Sequence, residues 1–256
     1  KTIHYIGKNK VGILIVMPQR RNRMKNDIYI VATIKPWNIK VYNEIIKHYT
    51  GEWHLITEPS ELTVEKIKLI NPKFVFFPHW SHIVPNEILN ITTCVCFHEA
   101  DLPYGRGGSP LQNLISLGHR ETVVTALKMS EELDAGPIYL KRPISLEGLA
   151  EEIFLRTAYV VAEMIKVIIT ENPIPFEQVG KPTLFKRRKP SESIIPEDKD
   201  NLIELYDHIR MLDAEGYPKA FLESGGFRFE ISRPALKTSE ILADVRITKI
   251  EGDRND

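Results

Sequence analysis

The sequence lacks several features that would place it in a specialised class of protein. Its 256 residues contain two cysteines, Cys94 and Cys96, which are too few and too close together for the disulfide framework of a secreted domain. No apolar run reaches the length of a transmembrane helix, and the first residues show no signal-peptide pattern. These absences predict a cytoplasmic protein without a membrane partner.

An excess of charge of one sign is also missing. The chain has 34 lysines and arginines against 34 aspartates and glutamates, so its formal net charge is zero. This balance predicts no bulk attraction to nucleic acid. A basic run at 19–25 is more typical of a solvated hairpin tip than of a ligand site. Hydrophobic residues make up 43% of the chain, as in ordinary globular enzymes.

What the chain does contain is an alternation of apolar runs and amphipathic segments. This alternation predicts an α/β fold with a Rossmann-like, mostly parallel sheet over residues 1–195 and a C-terminal helix plus small β subdomain over residues 196–256. Residues 180–199 are rich in proline, lysine and arginine and are expected to wrap the surface. The runs predict strands at 11–17, 27–34, 53–57, 74–77, 92–97, 122–129, 227–231 and 241–250, and helices at 38–49, 63–70, 149–170 and 201–212.

The most informative stretch is residues 97–110, which read FHEADLPYGRGGSP. His98 leaves an apolar strand, a glycine-rich loop follows, and Ser109-Pro110 is typical of a helix N-cap and first helical residue. Asp134 stands in a Gly-Pro turn behind the next apolar run. Open α/β sheets place their chemistry at strand ends, and a histidine oriented by a carboxylate is a common acid–base pair.

These motifs resemble the N10-formyltetrahydrofolate-dependent formyltransferases, whose signature is N-x-H, then LP, RG and P, with a D-x-G turn downstream. The likeness covers roughly residues 27 to 220. Cys96 takes the place of the catalytic asparagine of the family, and a thiol is a weaker hydrogen-bond donor than an amide. The matching residues are His98, Leu102-Pro103, Arg106-Gly107, Pro110 and Asp134-Ala135-Gly136.

The resemblance implies transfer of a formyl group from 10-formyltetrahydrofolate to an amine. His98 would be the proton shuttle, Asp134 the orienting acid, and Cys96 would stand beside the developing oxyanion. Cofactor contacts are expected from Pro78, His79, Trp80, Ser81, Ile83, Arg106, Gly107 and Leu133. Substrate contacts are expected from Tyr104, Gly105, Arg106 and Ser109.

Some of these residues have a structural alternative. Arg106 could hold an anion or brace its turn, and Trp80 could be a core aromatic. Tyr217 and Phe221 are further aromatics that could line a substrate site. Cys94, Cys96 and His98 alternate on one strand face, where they would form an incomplete tetrahedral site, so no metal is predicted.

The loop sequence is similar to the family branch that acts on nucleotide-linked amino sugars. The expected acceptor is therefore the 4-amino group of a 4-amino-4,6-dideoxy sugar, UDP-linked and N-acetylated as in the pseudaminic-acid type, for a bacterial surface polysaccharide. Glycinamide ribonucleotide and methionyl-tRNA are alternatives, the latter disfavoured by the zero net charge and by the about 56 residues after Asp200. A folate- or nucleotide-binding module without catalysis is the alternative from another class. No nucleic-acid partner is expected, and a homodimer is left open.

Overall fold

A computed structural model describes residues 27–197 and 200–250 of the chain. The strand predicted at 11–17 and the basic run at 19–25 lie outside the described residues. Within the described part of the chain, no helix combines the length and apolar character needed to cross a membrane.

A six-stranded sheet forms the centre of the molecule, in the spatial order β2-β1-β3-β4-β6-β7. The first four strands of this order are parallel, β6 pairs antiparallel with β4, and β7 pairs antiparallel with β6. The strands are β1 (Ile28–Ala32), β2 (Glu52–Ile56), β3 (Phe74–Pro78), β4 (Thr93–His98), β5 (Arg106–Gly107), β6 (Glu121–Lys128), β7 (Ile138–Ser145), β8 (Leu184–Phe185), β9 (Ala220–Ser224), β10 (Phe227–Leu236) and β11 (Ile241–Lys249). The predicted α/β fold with a mostly parallel sheet is confirmed.

Helices cover both faces of this sheet, as parallel strands require. One face packs against α1 and α5, and the other packs against α2 and α3. The long helix α5 buries Ile153, Val161, Ile165 and Ile168, which form the apolar stripe that the sequence predicts. The helices are α1 (Pro36–Glu44), α2 (Val64–Ile70), α3 (Asn86–Ile91), α4 (Pro110–Ser116), α5 (Ala150–Glu171) and α6 (Leu202–Arg210).

The C-terminal part contains α6 and a three-stranded antiparallel sheet in the order β11-β10-β9. Ile209, Met211 and Leu212 at the end of α6 belong to the same apolar core as α5. The C-terminal helix is thus packed onto the main body, and the domain division at residue 195 stays a prediction.

Ser109 and Pro110 occupy the predicted N-cap and first helical positions of α4, but the Ser109 side chain does not cap the helix. Ser109 lies in the left-handed region at φ 53°, and its Oγ accepts the backbone N–H of Arg188 (3.1 Å) rather than one from α4. Asn201 caps α6 by accepting the N–H of Ile203 (2.8 Å).

Five of the labelled elements were not predicted: α3, β5, β7, β8 and β9. The short α3 has a single buried side chain, Ile88, so it leaves no amphipathic period to detect. Strand β7 contains Pro143, which argues against an interior strand, but β7 lies at the edge of the sheet, where proline is tolerated.

The basic segment predicted to wrap the surface has a more specific place. Its strand β8 pairs parallel with β5, with Gly107 opposite Phe185. A Cβ on Gly107 would lie 2.4 Å from the Phe185 carbonyl oxygen, so glycine permits this close approach. The segment therefore covers the glycine-rich loop and forms a wall above the end of the sheet.

Candidate active site

A cavity of about 880 Å³ opens at the carboxyl ends of β3 and β4. The cavity lies beside the point where the strand order reverses. From β1 the chain passes to β2 on one side of β1, and it then crosses to β3 on the other side of β1. Such switch points are where open α/β sheets bind their ligands, and the volume is in the usual range for a small-molecule site. The β4 end, the loop before α4, the β8 segment and the turn after α6 all contribute to its lining.

His98 ends β4 and lines this cavity with both ring nitrogens in defined surroundings. Nε2 lies 2.7 Å from the carbonyl oxygen of Gly105, and because a carbonyl only accepts, Nε2 carries a hydrogen. Nδ1 is then the nitrogen that gains or loses a proton. It lies 3.6 Å from Asp134 Oδ2, too far for a direct hydrogen bond. An atom that carries a proton could therefore contact both His98 Nδ1 and the Asp134 carboxylate.

The turn that carries Asp134 is held from several sides. Asp134 has φ 53°, and its Oδ2 accepts the N–H of Gly107 at 2.9 Å. Gln178 Nε2 donates to the carbonyls of Asp134 (2.8 Å) and Gly136 (2.9 Å). A Cβ at Gly136 would lie 1.8 Å from the Lys128 carbonyl oxygen, so this position requires glycine. No sequence motif indicates Gln178, because its role depends wholly on tertiary contacts.

Arg106 braces these two loops and does not line the cavity. Its Nε and Nη2 donate to Gln178 Oε1 at 3.1 and 2.9 Å, and its Nη1 lies 3.1 Å from Glu132. This placement supports the structural alternative for Arg106. Tyr104 and Gly105 also lie outside the lining, whereas Ser109, the fourth predicted substrate residue, is part of it.

The predicted cofactor loop contributes to the lining in part. His79, Trp80 and Ser81 line the cavity, together with Gly107 and Leu133 from the facing loops. Two others do not: Ile83 is 95% exposed, and Pro78 lies within β3, where its carbonyl accepts from Asn38 Nδ2 (3.3 Å).

Two buried donors in the lining have no acceptor among the described residues. They are Trp80 Nε1 and Arg188 Nε. Buried polar atoms usually have a partner, so each is suited to donate to a bound ligand. A reduced pterin with its carbonyl and ring nitrogens, and a folate tail with its carboxylates, offer such acceptors. The lining and volume therefore fit the formyl donor that the resemblance implies.

Cys96 lies in the cavity where the family signature has asparagine. Burial, reinforced by the negative charge of Asp134, raises the pKa of its thiol well above the ordinary value. The group is therefore a neutral thiol at physiological pH and not a thiolate nucleophile. Its remaining chemistry is that of a weak hydrogen-bond donor next to His98.

Replacing Cys96 by asparagine should leave the turnover rate unchanged or raise it, by up to about 10²-fold, because an amide donates more strongly to a developing oxyanion. The rate is measured as kcat for formyl transfer. Cys96→Ala is the matched control, since it removes the thiol without adding an amide. Loss of activity in both variants would show that the thiol itself is required.

The opposite wall contains His79, which was expected to contact the cofactor, together with Tyr217. His79 and Tyr217 form a half-buried pair, with His79 Nε2 2.7 Å from the Tyr217 hydroxyl. Burial lowers the pKa of His79 to about 3 and raises that of Tyr217, so both are neutral. The Lys35 ammonium lies 4.7 Å from the centre of the Tyr217 ring. Tyr217 was named only as an aromatic candidate, and Phe221 instead packs under Arg228.

Basic side chains concentrate on this wall. Lys35 and the run Lys186-Arg187-Arg188-Lys189 line the cavity. Within the described ranges, no carboxylate forms an ion pair with Lys35 or Arg187. The run is visible in the sequence, but only its pairing with the glycine-rich loop brings it to the cavity.

Comparison with known proteins gives two family matches. The family described as formyl transferase matches residues 40–153, and the methionyl-tRNA formyltransferase C-terminal domain matches residues 190–248. The structure is similar to the methionyl-tRNA formyltransferase from Clostridium thermocellum, with 48% identity and a TM-score of 0.83, covering 87% of this chain and 99% of that one.

Curated sequences agree with this structural likeness. The chain is 30% identical over 170 residues to the methionyl-tRNA formyltransferase of Campylobacter lari, which covers 65% of this chain and 55% of the relative. The chain spans about half the length of the curated relatives it first matches, between 44% and 58%. A sugar N-formyltransferase from Shewanella sp FDAARGOS_354 shares the fold at 16% identity and a TM-score of 0.62, covering 83% of this chain and 99% of that one.

These relatives overturn the expected acceptor. The nucleotide-linked amino sugar of the pseudaminic-acid type is wrong, and with it the expectations of polysaccharide biosynthesis and of no nucleic-acid partner. The physical reason lies in the loop on which the interpretation depended. Tyr104, Gly105 and Arg106 pack and brace the loop instead of facing the cavity, so their identity carries little information about the acceptor.

Proposed function

Because the chain belongs to the formyl transferase family, we propose that it transfers the formyl group of 10-formyltetrahydrofolate to the amino group of methionyl-tRNA. The family uses this folate as its formyl donor, in agreement with the sequence prediction. The observation that supports the proposal most directly is the His98–Asp134 pair, which faces a cavity large enough for the donor and the aminoacyl end of an acceptor.

The proposed roles follow from the geometry of that pair. The donor supplies the formyl carbon when bound. His98 Nδ1 accepts a proton from the reacting nitrogen, since Nε2 is already occupied by its bond to Gly105. Asp134, 3.6 Å away, stabilises the imidazolium that results. The Gly107 N–H keeps the Asp134 carboxylate in place.

The basic wall supports a polyanionic acceptor. Lys35, Arg187, Arg188 and Lys189 all line the cavity, and phosphates of a tRNA acceptor end are the natural partners of such side chains. The zero net charge of the chain does not oppose this, because binding depends on the local field at the site and not on the sum over all residues.

The test of the proposed function is direct formylation. Purified protein with 10-formyltetrahydrofolate should convert methionyl-tRNA to formyl-methionyl-tRNA, identified by the mass of the amino acid released on hydrolysis. Glycinamide ribonucleotide and uncharged tRNA serve as negative controls. A protein that binds tetrahydrofolate but leaves methionyl-tRNA unmodified would disprove the acceptor.

Charge reversal on the basic wall should weaken the binding of the acceptor and not the binding of the donor. Arg187→Glu should raise KM for methionyl-tRNA and reduce the slope of binding against salt concentration by about one, as expected for one lost phosphate contact. Lys68→Glu, an equal charge change at an exposed position of α2 outside the lining, is the matched control. Equal effects of the two variants would argue against a phosphate contact at Arg187.

A further inference from the structure

Glu99 is a carboxylate of the cavity that the His98–Asp134 pair does not use. It follows directly after the last residue of β4, it is 9% exposed, and it lines the cavity. Its negative charge acts on Tyr217 across the cavity as well as on Cys96. Glu99 thus lies where the reacting centre meets the basic wall.

No ion pair or hydrogen bond links the Glu99 carboxylate to another side chain of the described residues. Burial raises its pKa, an effect that the charge of Asp134 strengthens and that the charge of His98 and its own backbone N–H oppose. A buried carboxylate without a cationic partner costs free energy, so such groups are usually paired. The missing partner is most simply a cation that enters with a ligand.

The charges that line the cavity suit an acceptor with two oppositely charged ends. Lys35, Arg187 and Arg188 offer positive charge to phosphates, and Glu99 offers negative charge close to His98. An α-amino group has a pKa of about 8, so a large share of the acceptor arrives as an ammonium ion at neutral pH. That ammonium is unreactive until it loses a proton.

We propose that Glu99 binds the ammonium group of the acceptor and takes one of its protons. The proposal depends on the proposed function in the choice of methionyl-tRNA as acceptor. One N–H bond breaks, the proton moves to a carboxylate oxygen of Glu99, and the electron pair stays on nitrogen as the nucleophile. His98 remains free to exchange the second proton as the carbon–nitrogen bond forms. Glu99 therefore takes one proton of the amine, and His98 exchanges the other.

Binding in the absence of the donor tests this assignment without relying on turnover. The ligands are methionyl-tRNA and the same tRNA after nitrous acid treatment, which replaces the amino group by a hydroxyl. The protein should bind the amine form about tenfold more tightly, as expected for a charge-assisted contact. Glu99→Gln, which keeps the shape of the side chain, should bind the two forms equally.

Two controls accompany this comparison. Asp101→Asn changes a carboxylate two residues along the chain that pairs with Lys141 and lies outside the lining, so it should keep the preference. Tetrahydrofolate affinity within about twofold of the original would show that Glu99→Gln folds normally.

The rate supplies a second readout. Glu99→Gln should lower kcat/KM for methionyl-tRNA by about 10²-fold near neutral pH, and less above the pKa of the amine, where the acceptor arrives uncharged. The groups that face Glu99 are His98, Asp134, Cys96 and Tyr217, with Lys35 and Arg187 on the wall. The same pH profile is recorded for Asp101→Asn, so that the pH effects that these neighbouring groups cause in both variants can be subtracted.

The outcomes separate the two proposals. A protein that prefers the amine form but does not formylate it overturns the proposed function and leaves Glu99 as the ammonium site. Equal affinity of the original protein for both tRNAs, or an unchanged preference in Glu99→Gln, overturns the assignment of Glu99. Failure to bind either tRNA overturns both.

Discussion

His98→Asn should lower kcat for formyl transfer by about 10²–10⁴-fold, the usual contribution of a general acid–base group. The asparagine amide nitrogen takes the place of Nδ1 and does not reach the Nε2 position, so the Gly105 carbonyl also loses the hydrogen bond that Nε2 donates to it at 2.7 Å. The variant also loses an imidazole nitrogen that can accept and return a proton during the reaction.

The measurement combines initial rates with tetrahydrofolate binding, which should stay within about twofold because the substitution leaves the opposite wall untouched. His119→Asn is the matched control, since His119 lies outside the lining and its ring only approaches the Tyr104 hydroxyl at 3.4 Å. A His98→Asn protein that retains most of its rate would remove His98 from the mechanism. It would also leave Glu99 and Asp134 as the candidates for proton transfer.

Arg210→Met should lower the free energy of unfolding by about 3–5 kcal/mol, the typical effect of breaking a buried ion pair from one side. Arg210 is 0% exposed at the end of α6, and its Nε lies 2.6 Å from Asp207 Oδ1. Its Nη1 donates to the carbonyls of Leu146 and Gly148, which ties α6 to the connection before α5. Methionine fills the space of the aliphatic stem but leaves these acceptors unsatisfied.

Denaturant unfolding curves measure this change, with a fall in Tm of roughly 10 °C as the thermal counterpart. Arg120→Met is the matched control because Arg120 contacts the same Asp207 carboxylate at 3.1 Å but is 42% exposed. Its loss should cost about 1 kcal/mol or less, since solvent screens the pair. Equal destabilisation by both variants would contradict the role given to burial.

The sheet illustrates how far local pattern reaches. Strand β3 is buried at all five positions, and such unbroken apolar runs predict the parallel core directly. Strand β7 is different because Pro143 signals a break, and its place at the sheet edge becomes clear only once the other strands are arranged. Sheet edges are defined by neighbours, which a single run of residues does not reveal.

In the candidate site, too, some features follow from local pattern and others only from tertiary contacts. His98 and Asp134 were predicted from a strand end and a Gly-Pro turn, and the structure places them 3.6 Å apart. Arg106 belongs to the same motif, yet its guanidinium donates to the side-chain oxygen of Gln178, a residue far away in the chain. A motif identifies which residues occur together, whereas tertiary contacts decide which of them face a ligand.

The sequence by itself determined the α/β class, the family resemblance and the choice of His98 and Asp134 as candidate site residues, because strand periodicity and short motifs are local properties. Tertiary structure alone decided what surrounds that pair. The pairing of β5 with β8 brings Arg187 and Arg188 over the cavity, although the net charge of the chain is zero. Charge acts over distances in space, within a Debye length of about 8–10 Å, and not along the chain, so the polyanionic acceptor that we propose depends on how distant segments pack together.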